Sequence, residues 1–188
     1  KMRMSTGKYI LLVFLLLAFS STAKSQIFIS AGADYIIPFG EFKDVNEDSP
    51  GFSIQLESRR FCNLWYGIRV DYSNLNQIED TENTYESIFM LSPEIRYVFN
   101  NKPCGSGSVQ FYLQGMLNLS SIQGTDELNA MGLGASAGGG IAVPFDLWDT
   151  CWSIDFGALY SAPNFILKEN RRPALQSVLF NLSIGMQL

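Results

Sequence analysis

Alternation of apolar and polar residues with a period of two, repeated in eight segments, limits the folds open to this chain more than any other feature. Successive side chains of a β-strand point to opposite faces, so this period predicts strands with one apolar and one polar face. No sustained helical period competes with it. The predicted strands are 26–37, 52–59, 64–73, 85–99, 108–118, 130–143, 152–160 and 178–188.

The connections between these segments alternate in length. Short connections at 60–62, 100–107 and 144–150 follow every second strand. Longer polar connections follow the others, at 38–51, 74–84, 119–129 and 161–176. Short turns at one end and long loops at the other are typical of outer-membrane barrels. The sequence therefore predicts an all-β, eight-stranded, antiparallel up-and-down transmembrane barrel, with long loops outside the cell and both termini in the periplasm.

The polar face of the predicted strands carries acids and bases, whereas the apolar face is almost free of charge. This difference favours polar side chains in the lumen and apolar side chains towards lipid, because charge is costly in hydrocarbon. A soluble, lipocalin-like binding barrel with an apolar interior remains the alternative. The predicted lumen charges are Asp34, Glu57, Arg59, Arg69, Asp71, Glu94, Arg96 and Asp155. They could form a structural ion-pair network or line a small gated channel.

Residues 1–25 have the order of a secretory signal peptide: a basic start, an apolar run at 9–19 and a small, polar end. The run has 11 residues, whereas a membrane-spanning helix needs about 20. We expect cleavage before Gln26 and a barrel domain over 26–188; a short retained anchor is the alternative. Four of the 13 lysines and arginines lie in 1–25, so nine bases and 18 acids remain, which argues against binding of nucleic acid.

The chain contains no histidine, which removes Ser-His, Cys-His and histidine-metal sites. Three inner-face aspartates, Asp34, Asp71 and Asp155, are the remaining candidates for hydrolytic chemistry. Nothing in the sequence gives them unusual acidity, so paired or solvated carboxylates are the simpler interpretation. We expect neither catalytic activity nor a cofactor.

The fourth long loop combines apolar and basic residues. The residues of this predicted contact are Phe165, Ile166, Leu167, Lys168, Arg171 and Arg172. An exposed apolar patch often marks an interface. We expect the loop either to contact a protein partner or lipopolysaccharide phosphates, or to fold over the acidic loops beside it.

The three cysteines, Cys62, Cys104 and Cys151, all fall at or beside the short turns. An odd number allows at most one internal disulfide. The turns that hold Cys104 and Cys151 are neighbours in an up-and-down barrel, and Pro103 and Gly105 let one of them bend. We therefore predict a Cys104–Cys151 bridge with Cys62 free or buried. A zinc site formed by the three thiols is less favoured because there is no CxxC pair.

Some short motifs resemble those of a known family. The first strand and loop contain Gly-Ala-Asp-Tyr at 32–35 and Pro-Phe-Gly-Glu-Phe at 38–42, and Gly51 with Phe52 opens the second strand. With the amphipathic last strand, these resemble small outer-membrane barrels of the OmpA/OmpX type, and especially the Bacteroidetes-type, PorT-like barrel family. The chain ends in Leu188, where such barrels often end in an aromatic residue. The resemblance implies a non-enzymatic barrel, and we expect a structural or accessory subunit of an envelope assembly for protein export or barrel assembly.

Overall fold

The computed structural model describes residues 26–59, 63–78, 84–99, 108–124, 130–167 and 175–188. The predicted signal segment lies outside these residues. A short 3-10 helix, Gly40–Phe42, follows the first strand. No helix in the described parts has the length and hydropathy needed to cross a membrane. The strands are β1 Gln26–Phe39, β2 Ser49–Arg59, β3 Leu64–Asn74, β4 Tyr85–Val98, β5 Gln110–Gly124, β6 Ala130–Leu147, β7 Thr150–Leu167 and β8 Gln176–Gln187.

The eight strands close into a barrel. Each strand pairs antiparallel with the next in the sequence, and β8 returns to pair with β1, where Ile184 lies opposite Ala31. The predicted eight-stranded, antiparallel up-and-down barrel is confirmed. Closure leaves no strand edge with unpaired backbone groups, which is the condition for a sheet in hydrocarbon.

The two faces of the wall have the predicted assignment. On β2, Ser53, Gln55 and Glu57 are buried in the lumen, whereas the alternating Phe52 and Ile54 are exposed on the outside. The same alternation holds along the other strands, so exposed large apolar side chains surround the barrel. The barrel is therefore polar inside and apolar outside along most of its length.

The ends of β5, β6 and β7 differ from the prediction. The strand predicted at 108–118 continues to Gly124, where the faces exchange polarity: Ser121 points outwards and Ile122 inwards. The connection predicted at 144–150 is a two-residue turn, since β6 and β7 extend to Leu147 and Thr150. Strand β7 also runs to Leu167. A strand predicted from period-two alternation ends too early wherever the polar and apolar faces are exchanged, or where both faces have the same polarity.

An apolar core lies inside the barrel near the long loops. Phe42 of the short helix packs into it with residues from the loop ends of the strands. Asn46 is fully buried beside this core, and its Nδ2 donates to the carbonyls of Tyr85 at 2.7 Å and Asn76 at 3.0 Å. The core residues are Ile36, Phe42, Leu75, Tyr85, Ile88, Met90, Met116, Ile122, Leu159, Leu175 and Leu179. The chain after β1 thus fills the loop end of the lumen.

Candidate functional site

The polar lumen is the candidate site, and its first ion-pair group, the Arg69 cluster, lies next to the apolar core. Arg69 from β3 has Nη2 2.8 Å from Asp34 Oδ1 and Nε 2.6 Å from Asp71 Oδ1. Asn181 from β8 donates to the same Asp34 oxygen at 2.6 Å, and Ser53 from β2 donates to it at 3.4 Å. These five residues link four adjacent strands through charge-assisted hydrogen bonds.

A second ion-pair group, the Arg96 cluster, lies nearer the short turns. Arg96 Nε is 3.0 Å from Glu57 Oε1, and Nη1 is 3.2 Å from Asp155 Oδ1. The guanidinium lies 4.2 Å from the centre of the Tyr112 ring, and Ser153 donates to Asp155 at 2.9 Å. The β4 arginine therefore contacts strands on both sides of the lumen and an aromatic face.

Uncharged side chains complete the polar layer. Ser92 donates to Asn118 at 3.0 Å, and Asn118 donates to Ser136 at 2.6 Å. Ser136 in turn donates to Ser161 at 2.9 Å, which extends the chain of hydrogen bonds from β4 to β7. Glu94 accepts a hydrogen bond from Gln114. In the sequence, only their position on the inner face of the strands distinguishes these amides and hydroxyls.

The structure brings seven of the eight predicted lumen charges into the two clusters or between them. Arg59 is the exception. Its Nη1 donates to Gln26 Oε1 at 3.0 Å in an exposed position, because β2 ends at Arg59 and the side chain lies at the turn-end opening. Among the described lumen residues, five carboxylates accompany the two remaining arginines, Arg69 and Arg96.

The middle of the lumen is tightly filled. Arg69, Ser92 and Asn118 expose between 0 and 2% of their surface, so neighbouring protein atoms enclose these side chains. An eight-stranded barrel encloses just enough volume for side chains. The chemistry of this arrangement is cross-linking of the wall by buried ion pairs and hydrogen bonds.

Glycines in β6 and β7 make room for Tyr112. A Cβ at Gly140 would clash with the carbonyl oxygen of Phe156 and would lie 2.5 Å from Tyr112 Oη. A Cβ at Gly157 would lie 2.8 Å from the same Tyr112 Oη. Tyr112 can therefore reach across to Arg96 only because its neighbours lack side chains.

We expect Gly140→Ala to lower the free energy of unfolding by about 1–3 kcal/mol, since overpacking must displace Tyr112 or the wall. Gly115→Ala is the matched control, because the nearest atom to its added Cβ is Ile95 Cγ2 at 3.9 Å. Urea unfolding of the refolded barrel measures both variants. Equal stability of the two would contradict the packing argument.

The predicted loop-four contact is described only in part. Phe165 is 74% exposed at the loop end of β7, where Met131 of β6 is also 85% exposed. Ile166 and Leu167 end β7. Lys168, Arg171 and Arg172 lie outside the described residues.

The predicted disulfide between Cys104 and Cys151 would lie at the short-turn end of the barrel. Cys151 lies at the start of β7 and is not a free side chain, but Cys62 and Cys104 lie outside the described residues. The Cys104–Cys151 bridge therefore stays a prediction. Peptide mapping of the exported protein without reductant should recover these two cysteines in one linked peptide pair. A bridge that contains Cys62, or three free thiols, would refute the pairing.

Among the described residues, no group of three histidine, cysteine or acidic side chains is placed to hold a metal ion.

Comparisons with known proteins agree on the fold. No family model and no curated protein sequence matches the chain, so the PorT-like resemblance stays a prediction. The chain is similar to Neisserial surface protein A, with a TM-score of 0.57 and 16% identity over 88% of this chain and 99% of that one. It is also similar to the N-terminal β-barrel domain of Pseudomonas aeruginosa OprF, with a TM-score of 0.51 and 13% identity over 88% and 100%. The chain therefore has the fold of the small eight-stranded outer-membrane barrels.

Proposed function

We propose that the chain is an integral outer-membrane barrel with a closed lumen and no catalytic activity. It serves as a structural or accessory subunit of a larger envelope assembly, such as a machine for protein export or barrel assembly. The long loops face the outside and contact lipopolysaccharide, and the termini lie in the periplasm. The packed polar lumen beneath an apolar core is the observation that carries this proposal.

The outer surface supports a membrane location. Large exposed apolar side chains continue around the strands, and the strands have 11 to 18 residues, enough to cross a bilayer. Tyr35, Tyr160 and Tyr97 stand exposed towards the strand ends, where aromatic rings favour the membrane interface. A soluble lipid-binding barrel needs the opposite arrangement, since its ligand occupies an apolar interior.

The lumen argues against a channel. The Arg69 cluster and the Ser92–Asn118 hydrogen bond link neighbouring strands inside the lumen, and the apolar core around Phe42 fills the loop end. An ion would have to break buried ion pairs and then enter an apolar layer. Both steps are costly.

Planar-bilayer recording tests the closed lumen. The folded protein should give no discrete conductance steps, while a general porin added to the same bilayer shows that insertion is detectable. Heating before insertion provides the unfolded control. Reproducible steps from the folded protein alone would establish the channel alternative and overturn the proposal.

Two protruding side chains support the accessory role. Phe165 and Met131 lie at the loop end of the β6–β7 hairpin, where apolar side chains of this exposure often contact a partner. Purification from gently solubilised envelope should recover a partner protein with the wild type and lose it with Phe165→Ser/Met131→Ser. Trp148→Ser is the control, because Trp148 is 83% exposed at the opposite end. Recovery unchanged by the double variant would contradict this contact.

A further inference from the structure

A cavity of about 450 Å³ opens at the short-turn end of the lumen, below the Arg96 cluster. The structural role proposed above does not use it. We propose that this cavity binds an organic cation: an ammonium or guanidinium group carried on a short apolar stem. A free diamine and a lysine or arginine side chain of a periplasmic partner share this chemistry.

The charges that line the cavity favour a cation. Glu57 and Asp155 lie at its floor, and Asp146 and Asp149 line its opening. Among the described residues of the lining, two arginines accompany these four carboxylates. Arg96 is already engaged by both floor acids and by the Tyr112 ring, and Arg59 donates to Gln26 at the opening. The lining therefore keeps a surplus of negative charge, which attracts a cation from solution.

The cavity wall suits an apolar stem. Phe28 and Trp65 meet edge to face, with ring centres 6.1 Å apart. Val98 also lines the cavity, and it belongs to a small apolar cluster against which Trp65 packs. An alkyl chain can pack against these surfaces while its cationic end approaches an aromatic face or a carboxylate. A small inorganic cation would leave the apolar wall unused.

Three buried polar atoms of the described lining, Glu57 Oε1, Arg96 Nε and the indole nitrogen of Trp65, lack a well-directed hydrogen bond. Glu57 is 2% exposed, and its Oε1 accepts no such bond although Arg96 Nε lies 3.0 Å away. The indole nitrogen of Trp65 is also buried, and no acceptor for it lies among the residues that the structure describes. Buried polar atoms of this kind call for a partner. An ammonium can donate to the Glu57 oxygen.

The turn between β6 and β7 places an acid at the opening. Trp148 and Asp149 have φ values of 52° and 57°, a left-handed conformation that favours glycine. A two-residue β-hairpin turn of this kind requires positive φ at both of its central residues. Here the strained turn brings the Asp149 carboxylate into the cavity lining.

A titration of the full barrel in detergent micelles tests the proposal. The readout is the NMR signal of the Trp65 indole N–H, assigned with Trp65→Phe among the three tryptophans. The probes are 1,5-diaminopentane and N-acetyl-lysine methylamide, with N-acetyl-norleucine methylamide and glutarate as neutral and anionic controls. We expect saturable shifts with the two cations at a Kd on the order of 1 mM. Tighter binding of the diamine favours a free ligand, and tighter binding of the blocked lysine favours a partner's side chain.

Matched charge variants separate the cavity from the surface at large. Asp146→Asn/Asp149→Asn should raise the Kd about tenfold, and asparagine tolerates the positive φ at position 149. Asp44→Asn/Glu47→Gln removes the same charge from exposed positions near the long loops and should leave the Kd unchanged. No shift with either cation, an equal shift with the norleucine probe, or equal weakening by both double variants would overturn the proposal. None of these readouts depends on conductance or on a partner protein.

Discussion

Replacing Arg69 with methionine is expected to lower the free energy of unfolding of the barrel by about 3–5 kcal/mol, because the change leaves buried carboxylates without their counter-ion. Asp34 and Asp71 both bond to this guanidinium, and neither has another arginine within reach among the described residues. Methionine keeps much of the side-chain length, so the lost charge dominates over lost packing.

Urea unfolding in lipid vesicles measures this effect. Arg59→Met is the matched control, since the hydrogen bond that Arg59 makes among the described residues joins it to the Gln26 amide at the exposed opening, and we expect a change below about 1 kcal/mol. Adding Asp34→Asn and Asp71→Asn to Arg69→Met should recover part of the loss by removing the unpaired charges. Similar losses for Arg59→Met and Arg69→Met would contradict a structural lumen network.

The second large effect concerns the outer surface. Phe156→Arg should destabilise the barrel in a bilayer by about 2–4 kcal/mol, because Phe156 points outwards from the middle of β7 and arginine would face hydrocarbon. Phe165→Arg makes the same change at the loop end and should cost about 1 kcal/mol or less. Unfolding in vesicles compares the two.

Phe156→Leu keeps the site apolar and separates the charge from the lost ring contact with Phe180, whose centre lies 6.4 Å away. We expect it to be milder than Phe156→Arg. Equal effects of arginine at positions 156 and 165, or of arginine and leucine at position 156, would show that the outer face does not meet lipid.

Strand parity was predictable from the sequence, and parity alone placed Arg69 and Arg96 in the lumen. Their partners were not predictable. Arg96 meets Asp155, 59 residues away and three strands along the barrel, and only the barrel's curvature brings them together. Parity also could not show that Arg59 lies at the opening, because that depends on where β2 ends.

The loop-end core was missed for a related reason. Ile88 and Met90 point inwards while Phe89 points outwards, so apolar residues occupy both faces and the period disappears. The turn at Trp148 and Asp149 was also missed. Tight two-residue hairpins with positive φ usually contain asparagine or aspartate followed by glycine, and this pair gives no such signal.

Fractionation of the envelope, read by gel migration with and without heating, tests the central claim that this chain is a closed barrel in the outer membrane. The exported protein should be recovered with the outer membrane and should migrate faster unheated than boiled, because the closed sheet stays folded in detergent until heated. Recovery in the soluble fraction, with identical migration in both states, would contradict the account.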